Sequence, residues 1–372
     1  MEKTYSSWLP RWTRRPLAAL GLLLATAGAA QAQAVAFAPV AAYTSGGMNP
    51  YGLAVGDVNG DGRPDLVTIN SVSYMVAVLP GSTTSPGTFG GPATYASGGN
   101  TGNALSVALG DVNGDGRLDV VATNTDNGTV SVLLNLATAP GTFGPATVYS
   151  TGNSTGPRVV ALGDVNGDGR LDIATASFNA GSLSILLNSA STPGTFGAPV
   201  IYSTGGSGTS GVALGDLNGD GRLDAVTLDY NTRNVAVFLN QAAAPGTFGT
   251  PAAYGNGVGS SSPFGLTLGD VNGDGRLDVA TANLLSPTVS VLLNSAATPG
   301  TLLAATTYSS GGTNPIEVAI NDLNGDGQAD LAVSNYGSNT VGVLLNSATA
   351  PGTFAAAVTF STGAGTVPRA LV

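Results

Sequence analysis

Six nine-residue strings in this chain each gather three carboxylates, one amide oxygen and two glycines. The first reads Asp57-Val58-Asn59-Gly60-Asp61-Gly62-Arg63-Pro64-Asp65, and the pattern returns at Asp111–Asp119, Asp164–Asp172, Asp216–Asp224, Asp270–Asp278 and Asp322–Asp330. So many hard oxygen ligands in so short a run suit a calcium ion. Side chains at positions 1, 3, 5 and 9, with the backbone carbonyl of position 7, form the expected ligand set. These are Asp57, Asn59, Asp61, Arg63 and Asp65 in the first loop, and Asp111, Asn113, Asp115, Arg117 and Asp119 in the second. The third and fourth offer Asp164, Asn166, Asp168, Arg170 and Asp172, then Asp216, Asn218, Asp220, Arg222 and Asp224. The last two offer Asp270, Asn272, Asp274, Arg276 and Asp278, then Asp322, Asn324, Asp326, Gln328 and Asp330. The expected cofactor is therefore Ca²⁺, about six ions at one per loop. Magnesium, which prefers a rigid octahedron and keeps its waters, suits the loops less.

A lone acidic run of this kind is often only a polar turn. Six copies spaced 52–54 residues apart argue against that and mark a repeat protein. An EF-hand is excluded. Its position 12 needs a bidentate Glu, whereas Thr68, Ala122, Thr175, Thr227, Thr281 and Val333 stand there, and the flanks read as strands.

The elements that must hold the loops are short strands. In the second repeat Leu105–Leu109 alternates in polarity and ends in the acidic loop; Asp119–Asn124, Val130–Leu134 and Ala146–Tyr149 follow. Asp126-Asn127-Gly128 is a tight-turn signal between the second and third of these. No window shows helical periodicity. Four antiparallel strands per repeat, here A to D, predict an all-β fold, a β-propeller of four-stranded blades. A Pro-Gly-Thr-Phe turn joins C to D, and Phe89, Phe143, Phe196, Phe248 and Phe354 are expected to pack between blades, with Leu302 replacing Phe in the fifth repeat. Residues 35–43 read as a D strand without predecessors, and 368–372 as an A strand. The expected plan is six full repeats plus a partial seventh, a truncated seven-bladed ring; a six-bladed ring is the alternative.

Composition narrows the function. Eighteen of the 22 acidic residues lie in the loops of a chain of formal charge −10. Residues 1–32 read as a signal peptide: Lys3, Arg11, Arg14 and Arg15, an apolar stretch from Leu17 to Ala30, then Ala30-Gln31-Ala32. The remainder, 33–372, is the expected propeller domain, secreted, periplasmic or at the cell surface, with no further transmembrane segment. It contains no His, Cys, Trp or Lys. Disulfides are excluded, and nucleic-acid binding is disfavoured by the shortage of cations. The lack of the usual bases and nucleophiles argues that the chain is not an enzyme. Outside the loops only Asp126, Asp229 and Glu317 remain as acids.

The run Asp-x-Asn-x-Asp-Gly-x-x-Asp between two strands, with Phe-Gly-x-Pro turns, resembles the FG-GAP/VCBS repeat family, to which integrin α-subunit propellers are related. The resemblance spans about residues 36–372 and implies a calcium-bound, exported propeller that is adhesive or ligand-binding. The repeats vary in the B–C and D–A loops, which in such a fold share the face opposite the calcium loops. Asn49, Tyr51, Tyr74, Arg158, Tyr230, Arg233, Phe264 and Tyr336 stand there, residue types that anchor recognition surfaces. The expected function is a protein-interaction or adhesion propeller with structural calcium; the alternative is a carbohydrate-binding propeller. Its partner is an unknown protein or glycan.

Overall fold

Each repeat builds one antiparallel sheet whose four strands pair in sequence order. The computed structural model describes residues 35–371 apart from 100–102, 153–155 and 260–261. Blade 1 holds β1 (Pro50–Gly56), β2 (Asp65–Asn70), β3 (Met75–Leu79) and β4 (Ala93–Ala96). Blade 2 holds β5 (Val107–Gly110), β6 (Asp119–Asn124), β7 (Thr129–Leu133) and β8 (Thr147–Ser150). Blade 3 holds β9 (Pro157–Gly163), β10 (Asp172–Ser177), β11 (Ser182–Leu186) and β12 (Val200–Ser203). Blade 4 holds β13 (Thr209–Gly215), β14 (Asp224–Asp229), β15 (Asn234–Phe238) and β16 (Ala252–Gly255). Blade 5 holds β17 (Pro263–Gly269), β18 (Asp278–Asn283), β19 (Thr288–Leu292) and β20 (Thr306–Ser309). Blade 6 holds β21 (Pro315–Asn321), β22 (Asp330–Asn335), β23 (Thr340–Leu344) and β24 (Val358–Ser361). The Asn-Gly turn of the second repeat is present, with Gly128 at φ 64° after a single 3-10 turn.

The core lies between blades. The second strands of blades 2 to 5 are buried at every residue, because a neighbouring sheet covers each face. Each outer strand withdraws only its third residue: Tyr95, Tyr149, Tyr202, Tyr254, Tyr308 or Phe360. Those tyrosines meet the turn phenylalanines of the following blade edge-on. Tyr95–Phe143 and Tyr149–Phe196 stand 5.4 Å apart, Tyr202–Phe248 5.5 Å and Tyr308–Phe354 5.2 Å. Between blades 4 and 5 Tyr254 packs in the same cluster as Leu302. Five apolar clusters result, one at each junction from blades 1–2 to blades 5–6.

Six blades form, not seven, so the seven-bladed plan with a partial seventh is corrected and the six-bladed alternative stands. The reason is pairing. A strand needs a neighbour for its backbone hydrogen bonds, and neither 35–43 nor 367–371 has one, so both run without strand structure. They still follow the ring. Tyr43 meets Phe89 at 5.5 Å, and Phe37 meets Phe360 at 4.8 Å, both edge-on. The N-terminal segment thus lies against blades 1 and 6, and the C-terminal one reaches both through Arg369, which meets Tyr51 and Tyr336. The expected signal peptide, residues 1–32, falls outside the described residues. Among those described, no helix is long and apolar enough to cross a membrane.

Deleting one junction aromatic tests this layered core. Phe196→Ala should cost about 3 kcal/mol, the usual toll for truncating a buried Phe, read as a lower denaturant midpoint in urea unfolding.

Candidate functional site

The acidic loops fold around their first aspartate. Asp57 accepts the N–H groups of Gly60 (2.7 Å) and Asp61 (3.0 Å) on Oδ1 and that of Gly62 (2.7 Å) on Oδ2. Asn59 Oδ1 accepts the Asp61 N–H as well (2.9 Å), and Asp61 Oδ1 accepts the Arg63 N–H (3.0 Å). Gly60 and Gly62 permit this curl at φ 75° and 81°. The same bonds recur from Asp111, Asp164, Asp216, Asp270 and Asp322. In four loops the position-3 amide also donates to the position-5 carboxylate: Asn113 to Asp115 and Asn272 to Asp274 at 2.9 Å, Asn166 to Asp168 and Asn324 to Asp326 at 3.0 Å. Positions 1, 3 and 5 are therefore brought together. The position-7 guanidinium pairs with the position-5 carboxylate in five loops: Arg63–Asp61, Arg117–Asp115, Arg170–Asp168, Arg222–Asp220 and Arg276–Asp274. In the sixth, Gln328 carries no charge to do so.

Position 9 behaves differently. Asp65, Asp119, Asp172, Asp224, Asp278 and Asp330 are fully buried. One oxygen of each accepts the N–H of its own loop's second residue, as Val58 to Asp65 at 3.0 Å. The other accepts an N–H from the end of the third strand: Gly81 (2.7 Å), Asn135, Asn188, Asn240 (each 2.8 Å), Asn294 (2.7 Å) and Asn346 (2.8 Å). Burial pushes all six carboxyls up, those of Asp119, Asp172 and Asp278 to about 6.

The asparagines at these strand ends were missed by sequence reasoning. Each side-chain amide donates to the backbone carbonyl of the preceding blade's loop. Asn135 reaches Val58, Asn188 reaches Val112 and Asn240 reaches Val165, all at 2.7 Å; Asn294 reaches Leu217 at 2.8 Å and Asn346 reaches Val271 at 2.6 Å. Each amide donates also to its own blade, as Asn240 to the Leu223 carbonyl at 2.9 Å, and each amide oxygen accepts a turn N–H, as from Gly246 at 3.1 Å. The turn then rests on the loop below: a Cβ on Gly141, at φ 83°, would stand 2.8 Å from Asn59 Cβ. The available signal was the recurring Leu-Leu-Asn or Phe-Leu-Asn before each turn, replaced by Leu79-Pro80-Gly81 in blade 1.

The all-oxygen donor chemistry of the loops fits calcium, and positions 1, 3 and 5 stand together. Position 9 is engaged by two backbone donors, and position 5 by an arginine in five of the six loops. Among the described residues no three acidic side chains are gathered closely enough to hold a metal as they stand.

At the opposite end the first strands of the blades begin around a central channel. A cavity of about 140 Å³ there is lined by Tyr51, Arg158, Phe264, Glu317 and Arg369, among others. Five of the eight variable-face residues gather here. Arg158 lies over Phe178 (3.8 Å) and within 5.4 Å of the Phe264 ring centre, with Tyr230 against both rings. Arg369 lies 4.6 Å from the Tyr51 ring and 4.7 Å from that of Tyr336. Tyr74 and Arg233 instead sit in the hairpins between second and third strands at φ 53° and 62°, and Asn49 stands just before β1 at φ 57°. Glu317 is partly buried and lines the same cavity; burial pushes its carboxyl up to about 8, towards the neutral form.

Two tests follow from these contacts. Asn240→Ala strands the Val165 and Leu223 carbonyls and should cost about 2–4 kcal/mol, seen as an earlier midpoint in urea. For Glu317 the folded pKa lies above the unfolded one. Its contribution is therefore complete below about pH 4.5 and lost as pH rises through about 8. Melting temperatures from pH 5 to 9 should fall less in Glu317→Gln than in the parent, the gap approaching on the order of 4 kcal/mol.

With this geometry in hand, the chain can be set beside known proteins. Models of the FG-GAP-like repeat match residues 111–175, 164–227 and 216–281, and that of the FG-GAP repeat matches 49–88. No curated protein matches the sequence. Among solved structures, a 6-phosphogluconolactonase candidate from Bacteroides fragilis superposes with a TM-score of 0.62 at 15% identity, covering 84% of this chain and 83% of its own. The periplasmic gluconolactonase of Pseudomonas aeruginosa gives 0.60 at 19%, covering 84% and 86%. At these identities the likeness is one of fold. It corrects the expectation that the chain is not an enzyme: propellers of this shape include enzymes, so missing His, Cys and Lys do not exclude catalysis. The repeats and their matching models together place the chain in the FG-GAP repeat family.

Proposed function

We propose that this protein is an exported recognition propeller, stapled by calcium in its acidic loops and docking a protein ligand on the channel face, as an adhesion module would. One observation carries the reading, namely the division of labour between the two ends. The loop end is repeated almost unchanged and is locked into the ring, whereas the channel end differs from blade to blade and concentrates aromatic and arginine side chains. The ions would be held by positions 1, 3 and 5, with the position-7 carbonyl and the position-9 carboxylate completing the set. Bound there, a divalent cation supplies charge neutralisation among crowded carboxylates. A second reading, an enzyme working at the channel, is favoured by the neutral carboxyl of Glu317, since a carboxyl with a raised pKa is suited to proton transfer.

Extracellular modules bind calcium with Kd on the order of 10⁻⁴–10⁻³ M. At about 1 mM each loop would then add roughly 0.4–1.4 kcal/mol, and six together roughly 2.5–8. Thermal unfolding by circular dichroism in EDTA, calcium and magnesium should show a calcium-specific rise in Tm; an unchanged Tm removes the staple. In the calcium-loaded protein, a glycan array should stay blank, and reproducible binding to one sugar class would replace the protein partner with a carbohydrate.

A further inference from the structure

Beyond residue 32 the chain has eight arginines. Five are tied to aspartates in the acidic loops. The other three, Arg158, Arg233 and Arg369, lie at the channel end, and among the described residues none of them has a carboxylate within ion-pair distance. Two of the three line one cavity. A guanidinium withdrawn from water without a counter-ion is costly, and burial lowers the Arg158 pKa accordingly. Glu317, an acid lining the same cavity, makes no ion pair with either arginine and is itself desolvated towards its neutral form. In a protein of formal charge −10 this cavity therefore holds two arginines that make no ion pair among the described residues.

The seating of these arginines is specific. Arg158 lies over Phe178, and Arg369 is held between Tyr51 and Tyr336, with one N–H 3.5 Å from the Tyr336 hydroxyl. The N–H edge of Arg369 meets the Tyr51 and Tyr336 hydroxyls, neutral partners that a planar carboxylate, which matches a guanidinium edge in a two-pronged contact, can displace. The cavity's volume of about 140 Å³ is well below that of drug-sized ligand sites.

We propose that the channel mouth is a binding pocket for a small organic acid, whose carboxylate is held by Arg158 and Arg369. The apolar rings of Tyr51 and Phe264 flank the rest of the ligand. Glu317, while neutral, can donate its O–H to the bound carboxylate; once ionised it repels it. The inference rests on the channel end being the recognition face; the small acid would occupy the mouth itself, and the protein partner the loops around it.

Isothermal titration of the calcium-loaded protein with acetate, lactate, gluconate and, separately, inorganic phosphate tests the pocket. At least one carboxylate should bind with one-to-one stoichiometry. Arg158→Gln and Arg369→Gln should each weaken it by about tenfold or more, the scale of losing one buried charge-assisted contact. Affinity should fall above about pH 8 in the parent but not in Glu317→Gln. Should either glutamine variant fail to fold, Arg369→Lys, which keeps the charge but not the fork, must still weaken binding at an unchanged Tm. Binding by phosphate alone, no binding by any carboxylate, or binding indifferent to these substitutions would overturn the proposal. Loss of the carboxylate site with the calcium-dependent rise in Tm intact would leave the staple standing. An absent calcium effect with carboxylate binding intact would do the reverse.

Discussion

The ninth aspartate of each loop is the contact on which the ring depends. Its buried carboxylate joins the loop to the end of the third strand in the same blade, and the asparagine at that strand end passes the connection to the blade before. A buried carboxylate is tolerated only when its oxygens are satisfied, and here both oxygens are met by backbone N–H groups. The arrangement fixes where the following turn sits, and so where the turn phenylalanine meets its tyrosine. The apolar layers supply the bulk of the burial, and the aspartate and asparagine set the register in which the layers meet.

Charge is sorted along the ring axis. Carboxylates crowd one end, five of the six sets accompanied by an arginine, while the three remaining arginines stand at the other end, two of them seated on aromatic rings. This sorting gives the two ends different chemistry despite a common backbone. The A strands that carry it are alike except near their first residues, where Tyr51, Arg158, Ser210 and Phe264 succeed one another around the channel. Variation confined to those positions changes what the mouth recognises and leaves the sheets intact.

Much of this was legible in the sequence because it repeats. The acidic strings, the strand pattern, the Asn-Gly turn and the inter-blade role of Phe143 or Phe196 all show as a period, and a period survives without coordinates. Asn135 and its counterparts repeat equally well, but a short polar residue before a turn has many uses, and its partner lies a blade away. The channel cluster does not repeat at all. Arg158, Glu317 and Arg369 meet only because the ring curls, and ring curvature has no local signature. The seventh blade was overread for a related reason: residues 35–43 match an outer strand in pattern, yet pattern cannot supply the missing pairing partner. Counting residue types is also a poor guide to catalysis, since propellers of this shape include enzymes.

Every asparagine bond points backwards along the chain. The amide arrives 75–77 residues after the carbonyl it will cap. During synthesis at roughly 5–20 residues per second, that spacing brings each capping amide about 4–15 s after its carbonyl. Five of the six loops are thus completed only by the blade that follows them, so a change in one blade is felt one blade earlier in the chain.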